Sequence, residues 1–186
     1  MTNNLAVVFG FSSVAVFSNE TGSPTLYRSK LEASYCGYDN AGNLFVSGYN
    51  GQSGAISELP QGKTTFTILS VNGKLDTPGQ VQWDGIYMAY EGRGSVPPIS
   101  IARLSISGSV ATVVSKTSFR GTMRDAAQSW IYQGNILLPY GKKAEKINKL
   151  GLWAYPKGGK ATRIIKLLNT KPWEFSGVTV SLAPKR

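Results

Sequence analysis

A polar turn followed by a short β-type run recurs four times along the chain, at Asn3-Asn4-Leu5-Ala6-Val7-Val8, Gly42-Asn43-Leu44-Phe45-Val46, Asp84-Gly85-Ile86-Tyr87-Met88 and Gly134-Asn135-Ile136-Leu137-Leu138. The runs begin 39, 42 and 50 residues apart. This recurrence constrains the fold more than any other feature, because each copy must be one supersecondary unit that buries its apolar face against the next. Asp84-Gly85 and the Asn/Gly pairs suit tight hairpin turns, where Gly and Asn tolerate positive φ.

Each copy continues in the same manner. A third run ends in a turn at Leu59-Pro60-Gln61-Gly62-Lys63, Ile106-Ser107-Gly108-Ser109 and Tyr155-Pro156-Lys157-Gly158-Gly159-Lys160. An outer run rich in β-branched or apolar residues follows at Thr65-Phe66-Thr67-Ile68-Leu69, Ala111-Thr112-Val113-Val114 and Thr162-Arg163-Ile164-Ile165-Lys166. Four strands in meander order every 40–50 residues or so is the length of a propeller blade. The expected fold is therefore all-β: a β-propeller of about four four-stranded blades. Second strands are expected near 5–8, 44–46, 86–90 and 136–138.

The first copy lacks an innermost strand, since it starts at Leu5 and continues through Val14-Ala15-Val16-Phe17 and Thr25-Leu26-Tyr27. Near the other end, Phe175-Ser176-Gly177-Val178-Thr179-Val180-Ser181 is similar to the first-strand segments Tyr35-Cys36-Gly37-Tyr38-Asp39 and Gly79-Gln80-Val81-Gln82-Trp83-Asp84. Two arrangements follow: this spare strand closes the ring beside Leu5 to Gly10, leaving no open edge, or the chain is an open arc of a larger propeller. Its 186 residues suit one domain, residues 1–186, which is either whole or a fragment of a longer propeller.

The strings Cys36-Gly37-Tyr38-Asp39, Val81-Gln82-Trp83-Asp84-Gly85, Leu152-Trp153-Ala154-Tyr155-Pro156-Lys157-Gly158-Gly159 and Gly177-Val178-Thr179-Val180-Ser181 resemble bacterial NHL-like β-propeller proteins, in particular their final blades. These motifs are turns and strand signatures, so the resemblance implies a fold and not an activity. It also implies a longer, often exported protein. Among the propellers that look related, streptogramin lyases use a catalytic His, and lactone hydrolases hold a central cation with carboxylate and amide ligands.

Composition removes much chemistry. With no His and the single Cys36, the chain has no intrachain disulfide, no zinc site built on several His or Cys ligands, and no Ser-His or Cys-His catalytic pair. No cofactor is expected. No run reaches the ~18 apolar residues of a membrane span, and Met1-Thr2-Asn3-Asn4 lacks the basic start and apolar stretch of a signal peptide. The compartment is left undecided.

Charge is unevenly placed. Through Pro139 there are nine basic and eight acidic residues, whereas Tyr140 to Arg186 holds eleven basic and two acidic. In a propeller of this strand order, the second-to-third strand loops and the blade-to-blade loops emerge on one face. The fourth copy would put Lys142, Lys143, Lys146 and Lys149 there, with Lys171 and Trp173 on its exit loop. These six residues are the candidate binding site, for phosphates or carboxylates of an anionic polymer. Lysine dominance favours diffuse attraction over bidentate recognition, and a solvated, solubilising loop is the competing reading.

Other candidates have blander roles. Asp39 and Asp84 occupy equivalent positions before a hairpin, where Asp accepts local backbone hydrogen bonds. Asp125 and Glu174 carry no supporting pattern. Trp83, Trp130 and Trp153 lie in strand patterns and are expected to fill space between sheets. Cys36 is expected to be a buried, inert thiol. The functional expectation is a noncatalytic propeller serving as an interaction or ligand-binding platform, with protein, carbohydrate or an anionic polymer as partner and nucleic acid less favoured. The alternatives are a propeller hydrolase or lyase with a carboxylate-lined central channel, and an anionic-polymer binder using the basic loop face.

Overall fold

The computed structural model describes residues 4–93, 99–122, 128–141 and 149–166. The chain divides into two compact units: Met1–Arg93 with Ile101–Lys116, and Gly94–Ser100 with Thr117–Arg186.

The first unit opens with an antiparallel sheet of β1 (Leu5–Phe9), β2 (Ser13–Phe17) and β3 (Thr25–Arg28), in that order. Alternation along β1 leaves Leu5, Val7 and Phe9 exposed on one side, and packs Ala6 and Val8 against a core on the other. Next comes a four-stranded antiparallel meander of β4 (Glu32–Tyr38), β5 (Leu44–Asn50), β6 (Ser53–Leu59) and β7 (Thr67–Ile68). Val14 and Val16 from the first sheet meet Leu44, Val46, Leu59 and Phe66 from the second in one apolar cluster.

A short strand β8 (Ser70–Asn72) precedes the third meander, β9 (Thr77–Trp83), β10 (Met88–Arg93), β11 (Ser100–Ser107) and the eleven-residue β12 (Val110–Arg120). The second and third sheets share a core that includes Phe45, Ile56, Val81, Met88, Tyr90 and Leu104. Here the sheets approach closely. A Cβ on Gly37 of β4 would run into the Val81 carbonyl oxygen of β9, so only glycine fits this crossing. A polar bond completes it: the buried Ser47 hydroxyl donates to the Gly79 carbonyl at 2.6 Å, while within the third sheet Tyr90 Oη donates to the Asp76 carbonyl at 3.0 Å.

In the second unit, β13 (Trp130–Tyr132), β14 (Asn135–Pro139), β15 (Lys149–Ala154) and, after the two-residue β16 (Gly159–Lys160), β17 (Arg163–Lys166) form a four-stranded antiparallel sheet ordered β13-β14-β15-β17. β16 instead runs parallel to the end of β12, pairing Phe119 with Gly159. Trp153 is fully buried; its ring meets Phe119 edge-on at 6.1 Å and Tyr140 at 6.1 Å, and its Nε1 donates to the Arg120 carbonyl at 3.2 Å.

The expected second strands coincide with β1, β5, β10 and β14, with one correction. The strand expected from Ile86 starts at Met88, because Asp84 captures the Ile86 and Tyr87 amides in a turn and leaves Ile86 66% exposed. The outer run of the second copy also differs. It contributes only Thr67–Ile68 to its own sheet, because the chain changes sheets at the next two residues: Leu69 N–H donates to the Ile56 carbonyl at 3.0 Å, and Ser70 N–H donates to the Ser109 carbonyl at 2.9 Å. β8 then runs parallel to β12. Among the described residues no helix is long and apolar enough to cross a membrane.

Candidate ligand-binding cleft

Two hairpins with equivalent chemistry shape one end of the first unit. In the β4–β5 hairpin, Asp39 Oδ1 accepts the amides of Ala41 and Asn43, each at 2.9 Å, and its Oδ2 accepts Asn43 Nδ2 at 2.8 Å. In the β9–β10 hairpin, Asp84 Oδ1 accepts the amides of Ile86 at 3.0 Å and Tyr87 at 2.8 Å, while Gly85 takes φ +103° to let the chain turn. The expected turn role of both aspartates therefore holds. Asp84 has a further partner on β11: Arg103 Nε donates to its Oδ2 at 2.6 Å, with the Asp84 side chain wholly buried. The Arg103 guanidinium also lies 4.5 Å from the Tyr87 ring centroid, which fixes that ring against the sheet.

Between these hairpins and the turns that end β6 and β11 lies a cleft of about 550 Å³. Its walls include Trp83 and Tyr87, the apolar side chains of Phe45, Leu69 and Leu104, and the hydroxyl residues Thr67, Ser105 and Ser109. Asp39 and Glu58 supply carboxylates, and neither Lys nor Arg lines it. This contrasts with the formal net charge of +10 for the whole chain. The side-chain carboxylate of Glu58, set on β6 opposite Phe45, has no hydrogen-bond or ion-pair partner among the described residues. Its carboxyl is held above the usual carboxylate range, first by burial and then by the neighbouring Asp39 charge.

A smaller cleft of about 290 Å³ lies beside Tyr27, Tyr38, Gln61 and Lys63. The Tyr38 hydroxyl is buried there without a hydrogen-bond partner among the described residues, and burial pushes its pKa up to about 12. Burial likewise raises the Cys36 thiol to about 11, against a smaller lowering by the Val8 backbone, so the thiol stays protonated and poorly reactive at neutral pH.

Of the basic candidates, Lys149 is exposed at the start of β15, and Lys142, Lys143, Lys146, Lys171 and Trp173 lie outside the described residues. Asp125 and Glu174 lie outside them too. Trp153 fills space as expected, whereas Trp83 does so and also walls the cleft. Glu58, Tyr87 and Ser105 were not sequence candidates. Register offers the only sequence signal for Glu58: counted back from the Pro60 turn, it stands across from the second residue after Asn43. Among the described residues no group of three or more His, Cys, Asp or Glu is placed to hold a metal ion.

Among the described residues the fold is all-β, with four sheets of mostly antiparallel strands, and resembles part of a gluconolactonase propeller. That similarity is to the periplasmic gluconolactonase PpgL of Pseudomonas aeruginosa, with a TM-score of 0.51 and 18% sequence identity over 82% of this chain. The chain spans 50% of that structure. No protein-family model matches the sequence, and no curated protein does.

Proposed function

We propose that the chain is a noncatalytic binding platform whose first unit offers a preformed cleft to a small ligand. The observation that carries this reading is the cleft itself: about 550 Å³, walled by aromatic, apolar and hydroxyl groups, with few polar contacts of defined position. Its frame is already organised, since Asp84, Arg103 and Tyr87 hold one another. The hydrolase alternative asks for several converging carboxylates free to act, yet Asp39 and Asp84 direct their oxygens at turn amides, Asn43 and Arg103, which leaves Glu58 as the one uncommitted carboxylate among the described residues of the cleft.

The test is amide chemical-shift mapping with methyl glucoside, gluconate and choline as probes of three charge types. At least one should move the resonances of Thr67, Tyr87 and Ser105 in the wild type and not in Ser105→Trp, which fills the cleft. No shift at those residues with any of the three probes overturns the reading.

The finer architecture belongs to the same proposal: each sheet is a blade, and residues 175–181, which lie outside the described residues, would supply a fourth strand beside β1. Support comes from β1 itself, which ends a three-stranded sheet where the next sheet has four strands. Deleting everything after Lys171 should then lower the melting temperature by about 5 °C or more, since an edge loses its partner and about 2 kcal/mol is worth that much in a domain of this size. An unchanged melting temperature would remove that strand from the first sheet.

A further inference from the structure

The cleft's lining is specific about charge, and from this we infer that its ligand is a small organic cation, an ammonium group carried on an aliphatic frame. This inference rests on the binding-platform reading above. Three independent features point the same way. The walls hold Asp39 and Glu58 and no basic residue, in a chain with twice as many basic as acidic side chains. The Glu58 carboxylate is also uncommitted, with no hydrogen-bond or ion-pair partner among the described residues.

Aromatic surface is the second feature. Trp83 and Tyr87 both line the cavity, and a cation over an aromatic face is attracted by the ring quadrupole, most strongly where water is displaced. The Arg103 guanidinium lies over one face of the Tyr87 ring, 4.5 Å from its centroid, so a ligand cation would rely on Trp83 or on the other face of Tyr87.

Size is the third. About 550 Å³ accommodates a small molecule, and the apolar Phe45, Leu69 and Leu104 would cover the alkyl groups of a quaternary or substituted amine. A neutral polyol would leave the Glu58 charge without a counterion, and an anion would meet two like charges.

The experiment compares choline with its neutral isostere 3,3-dimethylbutanol, which has the same shape without the charge, by shift titration of the intact chain. Choline should bind at least about tenfold more tightly, and the difference should shrink as salt is raised. Glu58→Gln should remove most of the difference, and Trp83→Leu should weaken choline more than the isostere. The isostere comparison uses the wild-type chain, so it stands even where a variant fails to fold. N-acetyl-lysine methylamide is titrated alongside: tighter binding of this probe than of choline assigns the ammonium to a lysine side chain instead of a free small molecule. Equal affinity for choline and isostere overturns the inference, and if methyl glucoside or gluconate still moves the cleft resonances the platform reading survives. Silence from all probes overturns both.

Discussion

Asp84→Ala is expected to destabilise the chain by about 3 kcal/mol or more, the cost of removing one partner of a buried ion pair. The Asp84 side chain is wholly buried and that of Arg103 is 15% exposed, so the guanidinium left behind has little water to replace its partner. The same substitution also strips an acceptor from the Ile86 and Tyr87 amides, and each amide left unpaired adds to the loss. Asp84→Asn separates the two contributions. It keeps an oxygen for the turn amides and loses only the charge, so it should fall between wild type and alanine. Urea denaturation with unchanged slope and a lowered midpoint is the measurement, and a loss below about 1 kcal/mol for the alanine variant would show that the pair is not structural. Because Tyr87 lies beneath Arg103, the substitution should also blunt any shift that a cleft ligand produces.

A loss of similar size is expected in the second unit from Trp153→Ala, about 3–5 kcal/mol for truncating a large buried aromatic. Trp153 is 0% exposed, packs on Phe119 and Tyr140, and hydrogen-bonds to the Arg120 carbonyl, so truncation opens a void and leaves that carbonyl short of a donor. Collapse cannot easily fill the space, because the indole lies where a Cβ on Gly151 would stand, and glycine has no side chain to extend into it. Trp153→Phe should recover most of the packing but not the hydrogen bond. Hydrogen exchange gives the local readout: protection should fall across β13–β15 and β17 before it falls across β4–β6. Uniform protection with an unchanged denaturation midpoint would contradict this placement.

Local chemistry made the hairpins legible. Asp84-Gly85 and Asp39 with Asn43 specify their turns through contacts a few residues long, and the structure places each as that chemistry requires. The strands β5 and β14 were legible for the same reason, being short apolar runs bounded by turn residues. Contacts between sheets were not. Nothing near Ser70 in sequence announces that its amide will leave β6 and pair with Ser109, because that choice depends on where the third sheet lies. The cleft was hidden by the same distance: Glu58, Trp83 and Ser105 come from three different strands, and each taken alone reads as an ordinary strand residue. The lysine-rich segment is visible in sequence because its charges are close together along the chain, whereas the charge of the cleft is a spatial property of residues scattered along the first unit.

The close crossing of β4 and β9 at Gly37 carries a kinetic consequence. Sheets that meet backbone to backbone, and are tied by the bond from Ser47 to Gly79, resist parting to admit a ligand and close behind it. On the proposed binding reading, entry to the cleft would then involve no gating step. Encounter would be set by diffusion and electrostatic attraction toward the carboxylates, and ligands of different affinity would differ mainly in residence time.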